Sequence, residues 1–273
     1  MLNRIIPSTG EQIPVLGLGT WNTFDISRQQ QKDELKQVLN SMKKAGSTLI
    51  DSSPMYGKAE SVVGELTADP AWHDHFFYAT KVWTQGKAEG IRQLKESFRR
   101  MGRTTMDLMQ IHNLTDWKTQ LQTLREWKAD GKIRYIGITH YTDSMHSELE
   151  RVFNSEQIDF VQFNYSIFSR NAEKRLLQAA ADRGVATLIN RPLGEGGNFS
   201  KIKDIPLPVW AEEYSIKTWS QYFLLYLISH PAVTVVIPAT GNPAHAIENF
   251  AIATAGLPDQ HFRERMRRYV QNL

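Results

Sequence analysis

The chain has no cysteine among its 273 residues, which removes disulfides, thiolate nucleophiles, cysteine-ligated zinc and iron–sulfur clusters together. Any catalysis must use other groups. Long hydrophobic runs are missing too: the longest apolar stretch, Tyr222 to Ile228, is far shorter than the roughly 20 residues that span a bilayer. Met1 to Gly10 holds no charged segment followed by an apolar one. A soluble, cytoplasmic protein without a membrane partner is expected, although a chain whose leader had been removed would read the same. Charge of one sign is scarce. The formal net charge of +3, from 32 Lys and Arg against 29 Asp and Glu, implies no nucleic-acid partner. The one basic cluster, Arg263, Arg265, Arg267 and Arg268, is interleaved with Glu264, Met266 and Tyr269 and reads as the solvated face of a terminal amphipathic helix. No composition shift, low-complexity tract or Pro/Gly-rich linker divides the chain, so residues 1–273 are expected to form one domain.

What is present is an alternation of short apolar runs with longer segments of helical period. The strand candidates are Val15–Leu18, Thr48–Asp51, Phe76–Lys81, Met106–His112, Ile133–Thr139, Phe160–Phe163, Ala186–Asn190 and Thr234–Pro238. The helix candidates are Lys32–Ala45, Lys87–Met101, Asp116–Asp130, Asp143–Phe153, Asn171–Arg183 and Ser215–Ser229, several of them followed by a glycine: Gly46, Gly102, Gly131, Gly184. Near-continuous apolar strands are those of a parallel sheet covered on both faces. Eight such units predict an α/β fold, a (β/α)8 TIM barrel; an open doubly wound sheet is the alternative. "GLGTWN", from Gly17 to Asn22, lacks the third glycine of a dinucleotide-binding turn, which weakens that alternative. The leading "RIIPSTGEQIPVLG" reads as a short β-hairpin turning at Ser8 to Gly10 and capping the bottom of the barrel.

Barrels place their chemistry at the carboxyl ends of their strands. Here those ends carry Asp51, Lys81 and His112, spaced by 30 and 31 residues, one βα unit each. Thr139, His140, Gln162, Asn164, Asn190 and Arg191 follow on later strands, and Tyr56 lies on the loop after Asp51, beyond the Pro54–Met55 kink. Each alone would be commonplace: a cap, a solvated charge, a core histidine. In register they form one cluster. A tyrosine is a sluggish acid at its ordinary pKa of about 10, and a lysine beside it can lower that by about 1 to 3 units. An aspartate would keep the lysine charged, and a histidine could hold a substrate oxygen. That set suits protonation of an alkoxide, which is half of a carbonyl reduction. The hydride must come from a nicotinamide cofactor. A metal-dependent hydrolase on Asp51, His112 and His140 competes weakly, because the one His-x-His pair, His73 and His75, precedes a strand; no metal is expected.

The run from Asp51 to Gly57 and the segments "GLGTW", "ATKVW", "LMQIHN", "IGITHY", "FVQFNYS" and "VIPATGNPAHAIEN", taken in order and spacing, resemble those of the aldo-keto reductases over almost the whole chain. The resemblance implies NADP(H)-dependent reduction of aldehydes and ketones by a monomer. Tyr56 would be the proton donor, Asp51 and Lys81 its tuning pair, and His112 the group that orients the carbonyl. It places Gly19, Thr20 and Trp21 along the cofactor, with Thr139, His140 and Gln162 at the nicotinamide and Asn190, Arg191, Pro192, Leu193 and Gly194 beside them. Thr240, Asn242, His245, Glu248 and Asn249 fall at the adenosine end. A non-catalytic redox sensor or regulatory subunit of the same fold is the alternative.

Three departures stand out. Asn190 and Arg191 occupy the place where many relatives stack an aromatic ring on the nicotinamide, leaving Arg191 as the expected replacement. The usual Ser-Asn after the fifth strand is Thr139 and His140. Ala239 and His245 replace the lysine and arginine that pair with the 2′-phosphate, so NADP(H) is expected with a relaxed preference over NAD(H). Trp21, Trp83 and Trp117 sit where relatives wall the substrate pocket, and only Asn113 to Thr115 follow His112. An open site for small aldehydes, ketones, dicarbonyls or quinones is expected.

Overall fold

The computed structural model describes residues 1–273. A two-stranded antiparallel hairpin, β1 (Asn3–Ile5) and β2 (Gln12–Pro14), precedes eight parallel strands. These are β3 (Leu18–Gly19), β4 (Leu49–Asp51), β5 (Phe77–Val82), β6 (Met106–His112), β7 (Ile133–Thr139), β8 (Phe160–Asn164), β9 (Ala186–Asn190) and β10 (Val235–Val236), and their order in the sheet is their order in the chain. The helices are α1 (Gln29–Lys44), α2 (Ala59–Leu66), α3 (Pro70–His73), α4 (Lys87–Met101), α5 (Trp117–Ala129), α6 (His146–Ser155), α7 (Leu176–Asp182), α8 (Gly197–Ser200), α9 (Trp219–Ile228), α10 (Pro243–Ala251) and α11 (Gln260–Gln271).

The sheet closes. Leu16 bridges Val236 and Gly19 bridges Ala239, both in parallel sense, with Gly17 N donating to Val236 O at 2.9 Å and Gly19 N to Pro238 O at 3.1 Å. A barrel, not an open sheet, is therefore the architecture. The seam strands are shorter than the sequence pattern suggests because Pro238 has no N–H with which to continue the ladder. Of the other strands, β6, β7 and β9 have the expected limits. Helix α9 begins at Trp219 instead of Ser215, since it is the Thr218 hydroxyl that accepts Gln221 N and caps the first turn. Two expected helices, the regions of α6 and α7, open on 3-10 turns. The short α2 was not expected: it has no side-chain cap to announce it.

Two separate apolar clusters result. A large one of 61 residues lies between barrel and helices. A second holds Leu49, Phe77, Ala79, Leu108, Tyr135, Phe160, Ala186, Leu188, Val235 and Ile237 together with Ile6 and Ile13 of the hairpin. The strand residues in it repeat at every second position, so they point into the barrel. The hairpin thus plugs the amino-terminal end of the barrel, as expected, and Thr9 Oγ1 lies 2.8 Å from Tyr135 Oη at the rim. Ile6→Ala and Ile13→Ala should each cost roughly 2–5 kcal/mol through the cavity left behind, read as a lower urea midpoint. An unchanged midpoint in both would show that the hairpin is not a plug.

Candidate active site

Alternation along the strands decides which polar side chains meet inside the barrel. Continuing the inward positions past the apolar layer brings Asp51 on β4, Lys81 on β5, Gln110 and His112 on β6, Thr139 on β7, Gln162 on β8 and Asn190 on β9 toward one end. Asp51 is the hub. Its Oδ2 accepts Lys81 Nζ at 2.6 Å, and its Oδ1 accepts Gln110 Nε2 at 2.8 Å and Gln162 Nε2 at 3.0 Å. Lys81 Nζ donates again to Ser52 O at 2.7 Å and is fully buried. Gln162 also donates to Gln110 Oε1 and accepts from Thr139 and Asn190. Gln110 escaped the sequence reading, although its place two residues before His112 marks it as sharing the same face. Gly137 makes room for it, since a Cβ there would lie 2.8 Å from Gln110 Cγ.

The loop after Asp51 returns Tyr56 to this cluster. Tyr56 N donates to Ser53 O at 3.0 Å and Lys58 N to Asp25 Oδ1 at 3.0 Å. Between them Gly57 has φ +59, and a Cβ on it would collide with the Asp25 carboxyl; only glycine accommodates both the turn and the contact. The half-buried Tyr56 ring lies 4.9 Å from Trp21 and 5.8 Å, edge on, from His112. Lys81 Nζ stands 5.0 Å from its centroid. The expectation that Tyr56 folds over the strand ends is therefore met.

Burial shapes the electrostatics more than the sequence suggested. It pushes the Tyr56 phenol above its ordinary pKa, with Lys81 the largest influence pulling it back. The net lowering expected from the lysine is not found, because burial of the ring outweighs it. Burial by itself would lower the Lys81 pKa, but Asp51 and then Tyr56 overcome it and hold the ammonium above its usual value. His112 is pulled down to about 3 by burial and by the positive charge of Lys81, with His140 adding to the effect. The site thus combines a protonated phenol, a charged lysine and a neutral imidazole. His112 Nδ1 meets Ser53 Oγ at 3.0 Å, while Nε2 has no protein partner.

A cavity of about 900 Å³ runs from these residues along the rim. It is lined by Gly19, Thr20, Trp21, Thr139, Gln162, Asn190, Arg191, Pro192 and Leu193, and at its far end by Thr240, His245, Glu248 and Asn249. Three expected contacts do not line it. His140 turns its Nδ1 to Tyr141 N at 3.0 Å and stacks on that ring. Asn242 is spent capping α10 through Ala244 N, and Gly194 packs toward the Asn198 side chain. Arg191 pairs with Glu195 at 3.1 Å. Trp21 and Trp83 flank the cavity, whereas Trp117 packs against the core instead. Thr218, Trp219 and Ser220, at the start of α9, were missed; the Thr218 cap was the available signal. No group of three or more His, Cys, Asp or Glu could hold a metal ion.

Comparison with known proteins gives a consistent result. A methylglyoxal reductase of Escherichia coli, YeaE, is 28% identical over 261 residues, covering 92% of this chain and 90% of its own. An aldehyde reductase of Saccharomyces cerevisiae, YPR1, is 22% identical across 94% of this chain and 87% of its own. The crystal structure of an aldo-keto reductase from Klebsiella pneumoniae in complex with NADPH superposes with a TM-score of 0.83 at 24% identity, covering 99% of this chain and 96% of that one, a likeness of fold. Residues 15–266 match the sequence pattern of the Aldo/keto reductase family, and with nearly the whole barrel inside that match the chain belongs to this family.

Proposed function

We propose that this protein is an NADP(H)-dependent oxidoreductase that reduces small aldehydes, ketones and dicarbonyls, with Tyr56 as proton donor. The observation that carries the reading is the convergence on one cavity of the Tyr56 phenol, a neutral His112 ring and Asp51, with the buried Lys81 ammonium paired to that carboxylate behind the wall. His112 Nε2 would hold the carbonyl oxygen while the Tyr56 hydroxyl gives it a proton. Lys81 would stabilise the tyrosinate left behind until solvent restores the proton. Trp21 and Trp83 supply apolar walls, and the short loop after His112 leaves room for small substrates of the kind named for the bacterial relative.

The cavity's residues fit a nicotinamide dinucleotide. Asn190 Oδ1 is buried without a partner, while Asn190 Nδ2 is committed to His140 O and Gln162 Oε1. A carboxamide N–H would satisfy that oxygen, whose isolation is costly. Thr240 and the amino-terminal end of α10 would face the adenosine phosphates. Bound there, the cofactor would supply the hydride. Arg191 is the one Lys or Arg on the cavity wall, and it is paired with Glu195. A 2′-phosphate would therefore rely on Thr240, His245 and the helix end, which supports a relaxed preference for NADP(H) over NAD(H).

The first test is to titrate NADPH by quenching of tryptophan fluorescence and then add methylglyoxal or an aromatic aldehyde. Binding followed by cofactor oxidation supports the proposal; binding without turnover would favour a nucleotide sensor, and no binding would exclude both. Tyr56→Phe should lower turnover by about 10²- to 10⁴-fold while the NADPH dissociation constant stays within a factor of about two. Ordinary turnover in that variant would remove Tyr56 from the chemistry. With His112 neutral above about pH 3 and Tyr56 protonated beyond its usual range, kcat for reduction should be flat between about pH 5 and 8. A limb near pH 6.5 that disappears in His112→Gln would contradict a neutral imidazole. Finally, His245→Ala should lower the affinity for NADPH several-fold at about pH 7.5 while leaving that for NADH unchanged, because only NADPH carries the 2′-phosphate that His245 would contact. An unchanged NADPH to NADH affinity ratio in that variant would place the 2′-phosphate elsewhere.

A further inference from the structure

Ser53 has no role in the chemistry described above, yet it touches both of the groups that would meet the carbonyl. Its backbone oxygen accepts Tyr56 N at 3.0 Å. Its hydroxyl, completely buried, lies 3.0 Å from His112 Nδ1. Pro54 follows directly and narrows the conformations open to Ser53. The two catalytic candidates are thus held to each other through the two oxygens of one residue.

We infer that Ser53 is a positioning residue that fixes the His112 imidazole in the tautomer carrying its proton on Nε2. A serine hydroxyl has one proton to give. Ser53 Oγ accepts Met55 N at 3.4 Å, and its buried O–H has one acceptor within reach, His112 Nδ1; a proton on Nδ1 would leave that O–H without a partner, at the cost of a buried hydrogen bond. An Nδ1 that accepts must be unprotonated, and a neutral ring then carries its hydrogen on Nε2. That nitrogen has no protein partner, and His112 lines the cavity. The consequence rests on the carbonyl-reductase reading. Nε2–H donates to a substrate oxygen, whereas the other tautomer would turn a lone pair against it and lose the stabilisation. The buried setting that keeps His112 neutral makes the choice of tautomer matter, because a doubly protonated ring would donate from both nitrogens whatever Ser53 did.

The experiment is ¹⁵N NMR of the full chain labelled at histidine, with the His112 ring assigned by its absence in His112→Gln among the 8 histidines. Long-range ring couplings report which nitrogen is protonated. In the wild type the expected pattern is protonated Nε2 and bare Nδ1; the reverse overturns the inference from this spectrum alone, even if no variant folds. Ser53→Ala should populate both tautomers and lower kcat by at least about tenfold, short of or up to the 10²- to 10³-fold lost when such a donor is removed outright. The NADPH dissociation constant should not change. Ser53→Thr keeps the hydroxyl and should restore both the spectrum and most of kcat. A wild-type spectrum and kcat in Ser53→Ala would refute the role. A chain that shows the Ser53-dependent tautomer but reduces no carbonyl would retain the positioning role and lose the proposed function, so the two can fail separately.

Discussion

A lysine ammonium and a carboxylate sealed inside a barrel are the constraint around which this structure is arranged. Removing either charge from water costs several kcal/mol, and their attraction compensates only where the remaining donors and acceptors are also satisfied. Asp51 meets that condition by accepting Lys81, Gln110 and Gln162, and Lys81 meets it through Ser52 O. Four strands must therefore be in register for the pair to be tolerated. In return the pair places a fixed positive charge beneath the Tyr56 ring and beside His112. Burial, reinforced by that charge, keeps the imidazole neutral, and the phenol is drawn back part of the way that burial had pushed it.

The same alternation along the strands builds two unlike ends. Toward the amino-terminal end the inward positions are Leu49, Phe77, Leu108, Tyr135 and Phe160, closed over by Ile6 and Ile13. Toward the other they are Asp51, Lys81, Gln110, His112 and Gln162. Stability is thus concentrated at the plugged end, and the polar end can remain concave without exposing the core. The tyrosine that completes the polar end comes from a loop held by Asp25, Gly57 and Ser53, so its position depends on contacts outside the strands.

The cavity end where the resemblance would put the cofactor departs from the family pattern in a coherent way. Gln162, expected at the nicotinamide, has its amide committed within the protein, and His140 is turned toward Tyr141. Asn190, at a position where the resemblance implies an aromatic ring in many relatives, retains the unpartnered oxygen. A hydrogen bond would thereby stand in for a stacking contact. At the far end the lining is Thr240, His245, Glu248 and Asn249 without a lysine or arginine.

By itself the sequence determined eight βα units and a parallel sheet covered on both faces, because eight apolar runs separated by helical segments with glycine stops leave few other ways to bury them, with the barrel favoured over an open doubly wound sheet. It also determined the strand-end residues Asp51, Lys81 and His112, whose one-unit spacing is a linear property, and the hairpin, whose turn signal is local. Tertiary structure decided what depends on distant groups. Gln110 became part of the Asp51 network because a glycine on the neighbouring strand leaves it space. The barrel closed at a seam between chain segments more than 200 residues apart, Leu16 and Val236, which no local pattern encodes. The direction of the Tyr56 shift followed from burial, a quantity set by packing around the ring and not by the lysine that the sequence places nearby. Ser53 reads as one of two serines in a turn until His112, 59 residues away, is brought against it.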